Sequence, residues 1–167
     1  MKRLFCGLVL VLGCAQEPGT FSGTLEGKPF RVQEARLDRG RNRLVVDVLE
    51  ENIGCSAQVN QGRFIQLVVQ SAQPDELPAP GLYGLADAGM TGATAVRQVT
   101  DQQCSINGAV HQSAQGLEVE LVELNFDPRA TYFDAVLRVR ATFRNDVLEG
   151  TINARSCGTT QSVCVAK

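Results

Sequence analysis

The chain has no tryptophan and only one histidine, His111. Zinc sites draw on clustered histidine and cysteine at spacings such as Cys-x-x-Cys or His-Glu-x-x-His, because one ion needs three or four soft or imidazole donors. Neither spacing occurs here, so no metal and no cofactor is expected. The Gly-x-Ser-x-Gly elbow, the glycine loop that cradles phosphates and the acidic calcium loop are missing too. Aromatic residues make up 5% of the chain and the formal charge is −2. Mild acidity with few rings argues against nucleic acid as a partner, because a phosphate backbone is met by clustered cations and stacking platforms. No repeat, no low-complexity run and no helical apolar period stands out. The longest apolar run, Leu4 to Leu12, would reach roughly 14 Å as a helix, against about 30 Å of bilayer hydrocarbon, so no transmembrane span is expected.

What is present begins with that run. Lys2 and Arg3 precede it, and Gly13 and Cys14 follow, which is the charged-then-apolar order of an export signal. Val11-Leu12-Gly13-Cys14 resembles the lipobox of bacterial lipoproteins, an apolar pair and a small residue before a cysteine. The resemblance implies cleavage before Cys14, diacylglycerol on its thiol and an acyl chain, such as palmitate, on its new amino group. Residues 1–13 would then be a signal peptide, 14–19 the lipidated cysteine with a short tether, and 20–167 one domain. A conventional cut after Ala15, with Gly13 and Ala15 as the small residues, is the alternative. Each buried methylene contributes about 0.8 kcal/mol, and two or more chains anchor a protein stably. Ala15 to Gly19 extend at most roughly 17 Å, so the domain would lie close to its membrane. The implied location is the bacterial cell envelope, on the periplasmic or the surface face. Loss of Lys2 and Arg3 makes the mature chain more acidic than the whole.

The remaining cysteines follow from that location. With Cys6 in the leader and Cys14 acylated, Cys55, Cys104, Cys157 and Cys164 are left. An exported compartment allows disulfides, and four cysteines allow three connectivities. The short spacing favours Cys157–Cys164, which leaves Cys55–Cys104. Cys55–Cys157 with Cys104–Cys164 stays open.

Strand patterns fill the mature chain. Phe133, Ala135, Leu137, Val139, Ala141 and Phe143 alternate with more polar residues, and after Arg144-Asn145-Asp146 the alternation resumes through Leu148, Gly150, Ile152 and Ala154. These two runs predict a hairpin. Leu117, Val119 and Leu121 point one way while Val122, Leu124 and Phe126 take the opposite phase, which predicts a β-bulge near Leu121-Val122. Further strands are expected over 20–25, 29–37, 43–50, 63–70, 82–86 and 93–100, with an irregular loop from Pro74 to Gly81. The expected fold is an all-β antiparallel sandwich, with a closed β-barrel as alternative. The phrases "SGTLEGKPF", "PAPGLYGL" and "VLEGTINARSC" resemble the beginning, middle and end of uncharacterised secreted bacterial lipoprotein domains, a likeness that implies an exported β-sandwich and no activity.

Candidate chemistry is sparse. Glu118 and Glu120 share one strand face with carboxylates roughly 7 Å apart, compatible with paired acid/base work or with a solvated face paired to Arg138 and Arg140. Cys104 and His111 offer a thiol and a base, although an exported cysteine more often forms a disulfide. Arg36, Arg39, Arg41 and Arg43 in "RLDRGRNR" suit anionic headgroups or cell-wall polymers, or else keep a hairpin tip soluble. Tyr83 and the loop "AQPDELPAPG" could form a binding rim. The reading is a non-enzymatic envelope lipoprotein, a binding or structural module tethered by lipid, with an envelope protein or cell-wall polymer as partner. The alternatives are a carrier with an apolar barrel cavity and a hydrolase using Glu118 and Glu120.

Overall fold

The computed structural model describes residues 17–55, 62–85, 91–98, 110–126 and 132–157. Every regular element among them is a strand: β1 (Ser22–Leu25), β2 (Lys28–Arg31), β3 (Glu34–Arg39), β4 (Arg43–Leu49), β5 (Gly62–Gln70), β6 (Gly81–Gly84), β7 (Gly92–Gln98), β8 (Val110–Ser113), β9 (Gly116–Asn125), β10 (Asp134–Phe143) and β11 (Asp146–Arg155). The fold is all-β. The predicted hairpin is β10 and β11, whose register sets Phe143 opposite Asp146 and leaves Arg144-Asn145 as a two-residue turn. Arg144 takes a left-handed φ of 52° there. The predicted bulge is also present. Leu137 faces Leu121 and Val136 faces Glu123, so Val122 is the extra residue on β9. It projects outward while Leu117, Val119 and Leu121 stay buried.

One expected strand is split and one strand was not expected. The run 29–37 is broken at Val32-Gln33, because the chain changes partners there: Val32 N–H donates to Phe21 O, and Gln33 N–H donates to Leu49 O. The strand β8 was not anticipated. Its sequence, Val-His-Gln-Ser, has too few apolar residues to show a period.

Strand order is β6-β9-β10-β11-β3-β4-β5-β7-β8, with β1 beside β11 and β2 beside β1. The ends of that order cannot lie far apart. Ser113 closes β8 and Gly116 opens β9, and three peptide steps span at most about 11 Å. A sheet whose edge strand β8 is tied by Ala114-Gln115 to β9, one strand in from the opposite edge, must bend strongly, and the result is a strongly curled open sheet. Its concave side holds the larger of two buried apolar clusters, the smaller being Leu49 and Phe64 with Ile53. Phe21, Phe30, Leu37, Leu44, Ile65, Leu67, Leu121, Leu137, Phe143, Leu148 and Ile152 are fully buried, each contributing about 1.5–3 kcal/mol from removal of apolar area from water. Phe21 and Phe30 meet edge to face, 6.2 Å apart.

The chain's two ends pack side by side. Ser22 lies opposite Glu149 and Gly23 opposite Leu148, so "SGTLEGKPF" and "VLEGTINARSC" are spatial neighbours. Glycine is required at this crossing. A Cβ on Gly23 would sit 2.1 Å from Val147 O, and one on Gly150 (φ 138°) would sit 2.8 Å from Thr20 O.

The weakest join is between β11 and β3, parallel and aligned only where Arg155 faces Arg36. Three devices reinforce it. Glu34 accepts Arg36 Nε (2.9 Å), Ile53 N–H (2.7 Å) and Gly54 N–H (3.0 Å), and Arg36 donates to Gly54 O. That cluster holds the segment ending in Cys55 beside the end of β11, where Cys55 bonds to Cys157 with Cα atoms 5.1 Å apart. The expected Cys55–Cys104 and Cys157–Cys164 pairs are therefore corrected. Spatial adjacency created by the β3–β11 seam, not short sequence spacing, selected the partner. The third device is Arg63 of β5. It grips Glu50 through two bonds (2.7 and 2.8 Å) and donates to Leu25 O and Pro29 O (2.8 Å each), fastening the β1–β2 hairpin to the β3–β5 region.

Candidate functional site

The outer face of β9, β10 and β11 carries the paired glutamates. Register places Glu120 beside Arg138, and Arg140 between Glu118 and Glu149. Arg138 Nη1 donates to Glu120 Oε2 at 2.9 Å, and Arg140 Nε lies 3.8 Å from Glu149 Oε2. Glu118, Glu120, both arginines and the exposed Leu82 line an open groove of about 440 Å³. Arg138 thus stands against the Glu120 lone pairs that acid/base work would offer to substrate, while Arg140 is drawn to Glu149. This is a cross-strand charge lattice, and such exposed pairs contribute about 0–1 kcal/mol each.

The arginines of "RLDRGRNR" do not converge. Arg36 is tied into the Glu34 cluster at the seam. Arg41 reaches Asp75 at 3.4 Å, with both side chains largely exposed. Arg43 closes the turn, its carbonyl accepting Gly40 N–H. Only Arg39 turns toward a ring, with its guanidinium 4.7 Å from the centre of Phe126. Tyr83 faces inward and packs on the core. Its hydroxyl donates to Ala79 O at 2.6 Å, so it staples its own loop, and burial pushes the phenol above its ordinary range. The exposed large apolar side chain of β6 is Leu82.

The concave feature that sequence reasoning missed lies where β9 ends, β10 begins and β11 ends. Register sets Asn125 opposite Asp134 and Asp134 opposite Arg155. These three, with Phe126, Tyr132 and Phe133, line a cavity of about 390 Å³. Phe126 and Phe133 stack edge to face, 6.0 Å between centres. Phe133 is fixed by a reciprocal pair, its N–H donating to Ser156 Oγ (2.9 Å) and its carbonyl accepting Ser156 N–H (2.8 Å). Tyr132 is 58% exposed.

The polar groups here are unusual in what they leave unmade. Asp134 Oδ1 is buried and has no hydrogen-bond partner, although about nine in ten buried polar groups in folded proteins have one. Arg155, opposite it in register, makes no ion pair to it and lies over Tyr132, 5.9 Å from the ring centre. Among the described residues, neither Arg39 nor Arg155 has a side-chain hydrogen bond or ion pair. Asn125 spends its amide on Glu123 Oε1 (3.0 Å), which leaves its carbonyl as an acceptor. The site thus combines ring faces, guanidinium donors and carboxylate and amide acceptors. Its sequence signal was the aromatic cluster Phe126, Tyr132 and Phe133 between two strand patterns.

Several expected site residues fall outside this geometry. Cys14, Cys104 and Cys164 lie outside the described residues, so the Cys104–His111 pair does too; His111 is placed by its backbone in β8, opposite Val96. Among the described residues, no group of three His, Cys, Asp or Glu could hold a metal ion, and no helix is long and apolar enough to cross a membrane. No family model, no curated protein and no solved structure matches the chain.

Proposed function

We propose that this chain is a cell-envelope lipoprotein, anchored through acylated Cys14 after loss of residues 1–13, whose β-domain works by binding and not by catalysis. One observation carries the binding role. Glu120 is held by Arg138, and Arg140, opposite Glu118 in register, reaches Glu149 instead, whereas the aromatic cavity presents an exposed ring and a guanidinium with no ion pair among the described residues. Tyr132 and Arg155 are both exposed, so a ligand can reach them without unmaking a bond within the protein. The Cys55–Cys157 bond supports export, since such bridges persist in oxidising compartments.

The same reading takes the curled sheet as a sandwich in which β6, β9, β10, β11, β1 and β2 face β3, β4, β5, β7 and β8. The narrow β11–β3 seam and the short β8–β9 link support that division over a closed barrel.

The test is labelling and fractionation in a bacterial host. Wild-type protein should incorporate radiolabelled palmitate and sediment with membranes. The Cys14→Ser variant should do neither. Unlabelled wild-type protein in the soluble fraction would contradict the anchor.

A further inference from the structure

We infer that the cavity between β9, β10 and β11 binds a saccharide carrying a carboxylate, such as a uronic or muramic acid unit. The inference rests on the envelope-binding reading above and names its ligand class. Three features of the site argue for it together.

The first is the exposed ring. Tyr132 presents more than half of its surface to solvent beside a cavity of about 390 Å³, the order of size that takes one or two small rings. A pyranose has one face of C–H groups, which stacks on an aromatic ring and buries apolar area there. The second is the mixture of donors and acceptors. Sugar hydroxyls donate and accept at once, and the wall of the cavity offers the Asp134 carboxylate, the Asn125 carbonyl and the N–H groups of Arg155. An apolar ligand would strip water from these groups and return no bond; a hydroxyl returns one.

The third is charge. Among the described residues, Arg155 is the one cation on the wall and makes no ion pair with Asp134, while the neighbouring Glu123 is taken by Asn125 and Arg39 lies over the Phe126 ring. A guanidinium left without a carboxylate partner selects an anion. A guanidinium matches a planar carboxylate through two parallel N–H donors. Both guanidinium groups already rest on rings, which limits the rotamer entropy lost on binding. The ligand's carboxylate would lie on the Arg155 side, and a hydroxyl on the Asp134 side. Tyr132 supplies the stacking surface between them.

The mature acylated protein in detergent micelles should be titrated with oligogalacturonate, with N-acetylglucosaminyl-N-acetylmuramic acid and with neutral maltotriose, read by saturation-transfer NMR and calorimetry. Binding of either acidic sugar, at least about tenfold tighter than maltotriose, is expected, and the tighter of the two identifies the source. Tyr132→Ala should weaken it by up to about tenfold. Arg155→Gln should erase the preference for the acidic sugars, and raised salt should weaken their binding. Unchanged thermal midpoints in both variants would show that the fold is intact. Absence of binding by either acidic sugar, binding of maltotriose with equal affinity, or indifference to both substitutions in folded protein would overturn the inference. Palmitate labelling at Cys14 is independent of these outcomes, so an acylated protein that binds no sugar refutes the ligand and leaves the anchor standing.

Discussion

Asp47 shows how a single side chain can work against the fold that contains it. It lies on β4 between Arg36 and Gln66 of the neighbouring strands, and Gln66 Nε2 donates to its Oδ1 at 3.0 Å. Burial raises its pKa above the ordinary 3.8, with the nearby charge of Asp38 adding to the effect and the Gln66 bond opposing it. A folded-state pKa above the unfolded value means that the native state binds the proton more tightly. Below about pH 3.8 neither state is charged and there is no penalty. As pH rises through the folded pKa, stability is lost and stays lost at neutral pH. Asp47→Asn keeps an acceptor for Gln66 and removes the buried charge. Its urea midpoint should exceed the wild-type value near neutral pH and match it at about pH 3. Equal midpoints at neutral pH would show that burial costs this carboxylate nothing. The same scale separates Glu118 and Glu120 from the residues that matter at the cavity. The glutamates drew notice in the sequence because they recur at period two, but that period placed them on the outer face. Asn125, Asp134 and Arg155 show no such spacing, since three separate strand ends bring them together.

Among the elements, the seam between β11 and β3 decides how firmly the sheet holds its curl. A single aligned pair gives it little ladder hydrogen bonding, and the bond from Cys55 to Cys157 closes a loop of 102 residues across it. Chain-entropy reasoning assigns a loop of that length about 4.7 kcal/mol. That is a large share of the 5–15 kcal/mol by which typical domains are stable. The Cys55→Ala/Cys157→Ala double variant should therefore unfold at a much lower urea concentration than wild type, by about 2–5 kcal/mol. An unchanged midpoint would mean that Glu34, Arg36 and Arg63 hold the seam without the bridge. Local pattern made the β10–β11 hairpin and the β9 bulge legible, because each registers as a phase of alternation along one stretch. The seam was not legible, because it pairs residues more than a hundred positions apart through one parallel contact. The clamp by Arg63 escaped notice for the same reason: Leu25, Pro29 and Glu50 surround it only after the hairpin folds back. The strand β8 was missed because four mostly polar residues carry no period.

For the whole molecule, the proposals form one chain of cause. As proposed, a leader would send the protein out of the cytoplasm into an oxidising space, where the Cys55–Cys157 bridge would hold the curled sheet and the aromatic cavity would meet envelope polymers. Glu17 and Pro18 each accept a hydrogen bond from Asn153 of β11 and Gly19 bridges to Ile152, so only Ala15-Gln16, roughly 7 Å at full stretch, would separate the acylated Cys14 from the sheet. The proposal that decides the rest is the anchor, and intact-mass spectrometry of the native, unreduced protein extracted from membranes reads it directly. The expected species lacks residues 1–13, begins at Cys14 and carries diacylglycerol with a further acyl chain. A single unacylated species retaining its first thirteen residues would contradict export and anchoring together.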